Sequence, residues 1–504
     1  MGRVRPVRRR RPGAAVLLGL GVSGLILAIV AGRPGPSPVR GTVAVGFWGV
    51  APTITVDEVV GRAYVPARVG SGGRGVGGVQ VVDTATGAVV GTVTLPGQNG
   101  GALAVAVDGR RGRAYAATNG GTRCGSTGSG LQTCTAIGAA VVALDARTGQ
   151  SLPLLSVDAG HGLSIDARTG LLYALPSGGT VGGGAPTVLR AHDPHTGRVV
   201  RTIALPDDSP NGGVGALAID GRGVGALAID GRGRVLVAVR VAFRPVGAAT
   251  VSVDVVDLTR GRLVGHIVLP GAGFIAAYRP PLLDAARGRA YIGLSTYGSG
   301  PAQVAVIDTG RGTLVRDLAT GVGFGTIAED TRTGRVFATA LGAVRTVTTR
   351  TPGGGTGTRQ VPGGVGGLRV LDARSGTLLQ RVPIGVGTTD VVVDERRGRV
   401  YALNIGPADA RGRLTHPGTL SVVDERSGRV MRTLAVGAVP VTLALDRRHD
   451  RLLVGCYGAV GGTPDDPWGW VPSQVRRLLP FLPRPPAPTS TPQGSVLILD
   501  TTRL

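Results

Sequence analysis

The carboxylates of this 504-residue chain fall into two kinds. One kind recurs in a fixed local setting, where an apolar run ends in Asp and a Gly follows within a few residues. The other kind lies outside that setting: Asp158, Asp207, Asp208 and Asp390, with the polar neighbours Asn99, His161 and Asn211 and the aromatic Trp48. Carboxylate and amide oxygens converging from separate segments are the donors that hold a hard cation such as Ca²⁺. A His among them adds a group that titrates near neutral pH. The plainer role for the same residues is that of solvated loop polar groups. Nucleophilic chemistry finds less support, because no Ser stands in a Gly-x-Ser-x-Gly setting and the six His form no local cluster with carboxylates. No residue is assigned a catalytic role, and no cofactor is expected beyond that Ca-type cation.

Cys124 and Cys134 bracket a Gly/Ser-rich stretch, and in an oxidising compartment a disulfide closing it is the simple reading. A metal there would need further ligands nearby. Cys456 is expected to be a buried strand residue. The net charge is +24, and all 55 basic residues are Arg. Such one-sided usage fits a codon bias, and 3% aromatic residues supply few platforms for stacking bases. Nucleic acid is therefore an unlikely partner, whereas loose attraction to anionic lipids or wall polymers follows from charge alone.

The recurring carboxylates define the elements that must position everything else. The segment Val56 to Tyr64 reads apolar run, Asp, turn, Gly, Arg, Ala, Tyr. It returns at Asp108, Asp166, Asp284, Asp330 and Asp394, with weaker copies at Asp230 and Asp446. A second motif, Asp83-Thr-Ala-Thr-Gly87, alternates with it at Asp145, Asp193, Asp257, Asp308, Asp372, Asp424 and Asp500. In each, Asp accepts from backbone N–H groups just ahead of it and Gly tolerates positive φ, so the pair makes a tight turn between two strands. One repeat reads as strands at 391–394, 399–403, 419–423 and 430–436. Four antiparallel strands repeated at roughly 46 to 64 residues form propeller blades, since a lone blade leaves two apolar faces uncovered.

The predicted fold is all-β, a propeller over 39–504 with eight four-stranded blades, or seven as the alternative. The last repeat lacks a fourth strand, while 39–45 is a strand with no partners before it, so the N-terminal strand is expected to close the ring and remove two free edges. The identical segments Gly213 to Arg222 and Gly223 to Arg232 are a tandem duplication of which only one copy supplies a strand.

Ahead of the propeller, residues 1–13 are basic, 14–32 form an apolar transmembrane or signal helix, and 33–38 are a linker. An Arg-rich start keeps the N-terminus inside, which places the propeller outside the cell membrane. Signal cleavage would instead leave it secreted or periplasmic.

Tyr115-Ala-Ala-Thr-Asn119 and Tyr401-Ala-Leu-Asn404 are each followed by a Val-rich strand, Asp, and Thr-Gly or Ser-Gly. These repeats resemble the YVTN type of bacterial surface and periplasmic β-propellers. The resemblance covers 39–504 and implies binding or scaffolding in the envelope, commonly on seven blades. Trp-Asp repeats of the WD40 kind are absent, as are the vicinal Cys pair and recurrent Trp docking motifs of quinoprotein dehydrogenases. All long insertions, 119–138, 341–367, 404–418 and 456–493, connect the second and third strands of a blade, so they share one face with the mouth residues named above. That face is expected to bind an envelope protein, glycan or wall polymer. Trp468, Trp470 and Phe481 mark the last insertion as a lid or partner segment of a chain expected to be monomeric. The competing reading is a hydrolase, lactonase-like or metal-dependent, with its site at the channel mouth.

Overall fold

The computed structural model describes the chain except for residues 1–36, 46–52, 70–75, 97–101, 119–120, 127–131, 138–139, 158, 160–161, 176–187, 207–224, 243–249, 270–279, 296–300, 324–325, 351–355, 411–413 and 458–493. Within the described residues lie eight four-stranded antiparallel sheets and two separate two-stranded hairpins. The seventh blade is typical. Its strands Thr388–Asp394, Arg399–Asn404, Gly418–Asp424 and Val430–Gly437 pair in chain order from the innermost outwards. The inner strands neighbour one another in sequence around the ring, and Thr55–Asp57 of the first blade lies beside Pro440–Asp446 of the last. In the last blade Val39–Val45 pairs antiparallel with Gly494–Asp500 as the outer strand. Of the duplicated segments, the second copy supplies the inner strand of the fourth blade, Gly225–Ile229; the first lies outside the described residues.

Two turns repeat the same physics in each of the first seven blades, and the inner one recurs in the last. At the outer turn of the seventh blade, Asp424 Oδ1 accepts from the Ser427 amide at 2.8 Å and the Ser427 hydroxyl at 2.6 Å, and Gly428 takes φ +70°. Both strands are thereby locked in register across five residues. The inner turns bury their carboxylates more deeply. Asp394 is fully buried, accepts from the Arg397 amide and pairs with Arg397 Nη1 at 3.0 Å. In the last blade Asp450, at φ +58°, stands where the other inner turns have Gly. Arg396 and Arg397 of the preceding blade hold its carboxylate at 2.5 and 3.0 Å, which offsets the strain of a left-handed non-Gly residue.

Blades are joined by core and by side-chain stitches. Each hydrophobic cluster spans neighbouring blades, as where Tyr173 and Leu189 of the third meet Leu236 and Val256 of the fourth. Burial of such a side chain is worth about 1.5–3 kcal/mol. The Arg that opens the second strand donates to a turn carbonyl of the next blade: Arg289 to Arg374 at 3.0 Å, Arg335 to Glu425 at 2.8 Å. First and last blades are tied likewise, Thr84 Oγ1 donating to Asp446 Oδ2 at 2.5 Å. Between the fourth and fifth blades two backbones touch, and a Cβ on Gly265 would lie 2.2 Å from the Gly312 carbonyl oxygen.

Gly265→Ala should therefore cost about 1–3 kcal/mol in urea unfolding, because backbone on both sides must move. Asp394→Ala should cost about 3 kcal/mol and Asp145→Ala, on a half-buried outer turn, about 1 kcal/mol. Equal costs would show that burial does not grade these turns.

Candidate functional site

The inner strands surround a cavity of about 280 Å³ lined by Pro281, Leu282, Ala328, Glu329, Val391 and Arg447 among others. Asp390 also lines it. It sits inside the strand Thr388–Asp394, not in the connection where the sequence placed it, because pairing with Arg399–Asn404 continues past a bulge to Thr388. Its carboxylate is buried, Oδ1 accepting from the Val391 amide at 2.9 Å and Oδ2 from the Leu443 amide at 2.7 Å. It thus clamps the seventh inner strand onto the eighth.

The remaining expected mouth residues, Trp48, Asn99, Asp158, His161, Asp207, Asp208 and Asn211, lie outside the described residues, as do Trp468, Trp470 and Phe481. Cys124 and Cys134 stand directly opposite each other in the hairpin of Gly121–Ser126 with Gln132–Ile137, but their side chains lie outside the description. Cys456 is buried at a strand end, and burial pushes its thiol up to about 12, which leaves it unreactive at neutral pH. Among the described residues no three His, Cys, Asp or Glu side chains gather closely enough to hold a metal ion.

Glu329 is the feature that the sequence reading missed. The position before the inner-turn Asp is apolar in the other seven blades: Val56, Val107, Ile165, Ile229, Leu283, Val393 and Leu445. Only column-by-column comparison of the repeats exposes the exception. Its side chain is 2% exposed, and Arg287 reaches both Glu329 Oε1, at 3.4 Å, and Asp284 Oδ2, at 2.9 Å. Burial, then the hydrogen bond and the negative charge of Asp284, push the Glu329 carboxyl up to about 8. Asp284 stays low despite burial, through its bonds from Arg287. The pair therefore shares one proton at neutral pH, with Glu329 as the protonated partner. A similar pair follows in the next blade, where burial and Asp330 raise Glu425, which accepts from Thr333 Oγ1 at 2.6 Å.

On the opposite face, two of the long connections build hairpins. Val344–Arg350, rich in β-branched residues, pairs with Thr356–Pro362, so this insertion carries its own small sheet. Its Val347 and Val361 are buried in one cluster with Ile405, Val439 and Tyr457, which belong to connections of the seventh and eighth blades. Arg345 Nη2 donates to the Asp409 carbonyl at 2.7 Å and also to Ala408 O. The hairpin thereby spans three blades as a supported platform.

No protein-family model matches the chain, and no curated protein matches it. Solved structures do. Quinohemoprotein alcohol dehydrogenase from Comamonas testosteroni matches at TM-score 0.51 and 13% identity, over 92% of this chain and 76% of that one. Quinohemoprotein alcohol dehydrogenase ADHIIG from Pseudomonas putida HK5 matches at 0.50 and 15%, over 93% and 78%. The Dos1 propeller matches at 0.51 and 11%, over 83% and 93%. At such identities the likeness is one of fold: the chain is an eight-bladed β-propeller.

The raised Glu329 makes a signed prediction. A carboxyl lifted from 4.5 to about 8 stabilises the fold fully below its unfolded value, and that contribution is lost as pH rises to about 8 and beyond. Glu329→Gln should be more stable than the native chain at pH 9 by a few kcal/mol, with the gap closing towards pH 5 in urea titrations. A gap independent of pH would mean that Glu329 is not the proton holder.

Proposed function

We propose that this propeller is a binding or scaffold module of the cell envelope, tethered by its apolar N-terminal segment and working through the face that carries the long connections. The observation behind this reading is the platform around Val347, Val361, Ile405 and Tyr457, insertion and connection residues that pack into one cluster with strand residues of the first and last blades such as Val65 and Leu453. The hairpin that carries Val347 and Val361 pairs only within itself and joins no blade sheet, which leaves its outer side available to a ligand. The repeated Asp residues, by contrast, are engaged by turn amides and by Arg, which suits a rigid support. The YVTN-like repeats agree with an envelope role, and the pairing of Val39–Val45 with Gly494–Asp500 suits a clasp that joins the tether to the ring. Ligands of this face would be a protein, glycan or wall polymer.

A second reading, a propeller hydrolase or metal-dependent enzyme, draws on one observation. Glu329 holds a proton near neutral pH at the wall of the cavity, where a general acid would be useful.

The discriminating experiment replaces Arg345–Pro362 by a short Gly-Ser link and passes fractionated envelope of the source cell over native and shortened chains. Selective loss of one retained component, with the shortened chain still unfolding cooperatively, is the expected result. Equal retention by both chains, together with turnover of a lactone or ester panel that Glu329→Gln abolishes, would overturn binding in favour of the enzyme.

A further inference from the structure

The first seven blades each contribute two Asp-headed turns to the face opposite the platform, and the last contributes one, with Asp500 capping the short 3-10 helix Thr501–Arg503 beside it. On these turns no Asp or Glu is exposed; every one is buried or half-buried. Many turn carboxylates are paired with Arg, some with half-buried ones, as in Arg397 with Asp394 at 3.0 Å, and others with exposed ones, as in Arg260 with Asp257 at 2.9 Å. The guanidinium groups that face solvent, among them Arg110, Arg147, Arg168, Arg311, Arg374 and Arg426, stand on these same turns. The exposed charged residues of these turns are therefore Arg, with the turn carboxylates at most half-exposed beside them.

Directly after the outer turns, the outermost strands of four blades open on two adjacent exposed apolar residues: Val89 and Val90, Val199 and Val200, Leu314 and Val315, Val430 and Met431. At each pair the ladder shifts by one residue, so two apolar residues stand against a single residue of the neighbouring strand, next to the outer turn. Single exposed apolar residues are ordinary, but their recurrence at one level beside a cationic ring is the pattern of an interfacial surface.

The chain enters the propeller at this level. Val39 pairs with Leu499, next to Asp500. Residues 33–38 separate it from the apolar run, and six residues span at most about 20 Å. From the ring of Arg, the apolar rim and this short link we infer that the turn face docks on an anionic lipid bilayer. The inference rests on the reading of the N-terminal segment as a membrane tether. A soluble polyanion would satisfy the Arg ring but leave the apolar pairs without a role.

The full chain is incorporated into nanodiscs of phosphatidylcholine alone or mixed with phosphatidylglycerol, and amide hydrogen exchange is followed. Amides of 145–150, 193–200, 308–315 and 424–431 should exchange several-fold more slowly on the anionic discs. High salt should reverse that protection. The combined variant Val199→Ser, Val200→Ser, Leu314→Ser and Val315→Ser should lose it, with 344–348 unaffected throughout. Equal exchange in both lipids would overturn the inference, and so would equal protection by soluble polyphosphate that the Ser variant leaves intact. If the chain stays soluble without entering discs, the tether reading fails by itself. Flotation of that soluble chain with phosphatidylglycerol vesicles then decides: co-flotation supports docking, and no flotation overturns it.

Discussion

A blade of this chain has two apolar faces and no α-helix among the described residues to cover either, so each sheet is stable only between two others. Everything else in the structure follows from that mutual burial. Strand residues such as Tyr401 and Leu420 cover the neighbouring blade, while the turn side chains hold the blades at a fixed offset. Arg335 on the Glu425 carbonyl and Thr84 on Asp446 are the same device seen at two joints, and the second lies where chain ends meet. Within the ring, residues of the fourth to eighth blades together line a cavity.

Against that repeating frame, the departures carry the individuality of the protein. Glu329 replaces an apolar residue of the inner strand, and Glu425 stands where Thr84, Ala146 or Ala373 occurs in other blades. Both fall in the sixth and seventh blades, and both press a second carboxyl against an inner-turn Asp. The hairpin of Val344–Arg350 and Thr356–Pro362 rises from the same sixth blade on the other side. One sector of the ring thus combines a proton-sharing pair, the wall of the cavity and a built-out surface.

The strand order of the seventh blade was legible because Asp, Gly and Arg recur at turn spacing, and pairing extended each strand by only a few residues. Asp390 was less legible. In sequence it is a polar residue between strands, yet a bulge at Thr388 carries the ladder past it and turns its carboxylate onto the Leu443 amide of the next blade. Glu329 resembled any acidic residue near a turn until its seven apolar counterparts were aligned with it. The hairpin within 341–367 was read as a loop because its pairing is internal and interrupts the blade pattern.

Sequence by itself determined the class of fold, the number of repeats and the division of the chain into two faces, since turn chemistry and strand alternation are local. Tertiary structure alone decided which carboxylates meet, because Asp284 and Glu329 or Asp330 and Glu425 belong to different blades. It also decided that the exposed charge of the turn face is Arg. Whether a turn carboxylate meets a second carboxyl depends on the neighbouring blade, and no local pattern records that neighbour.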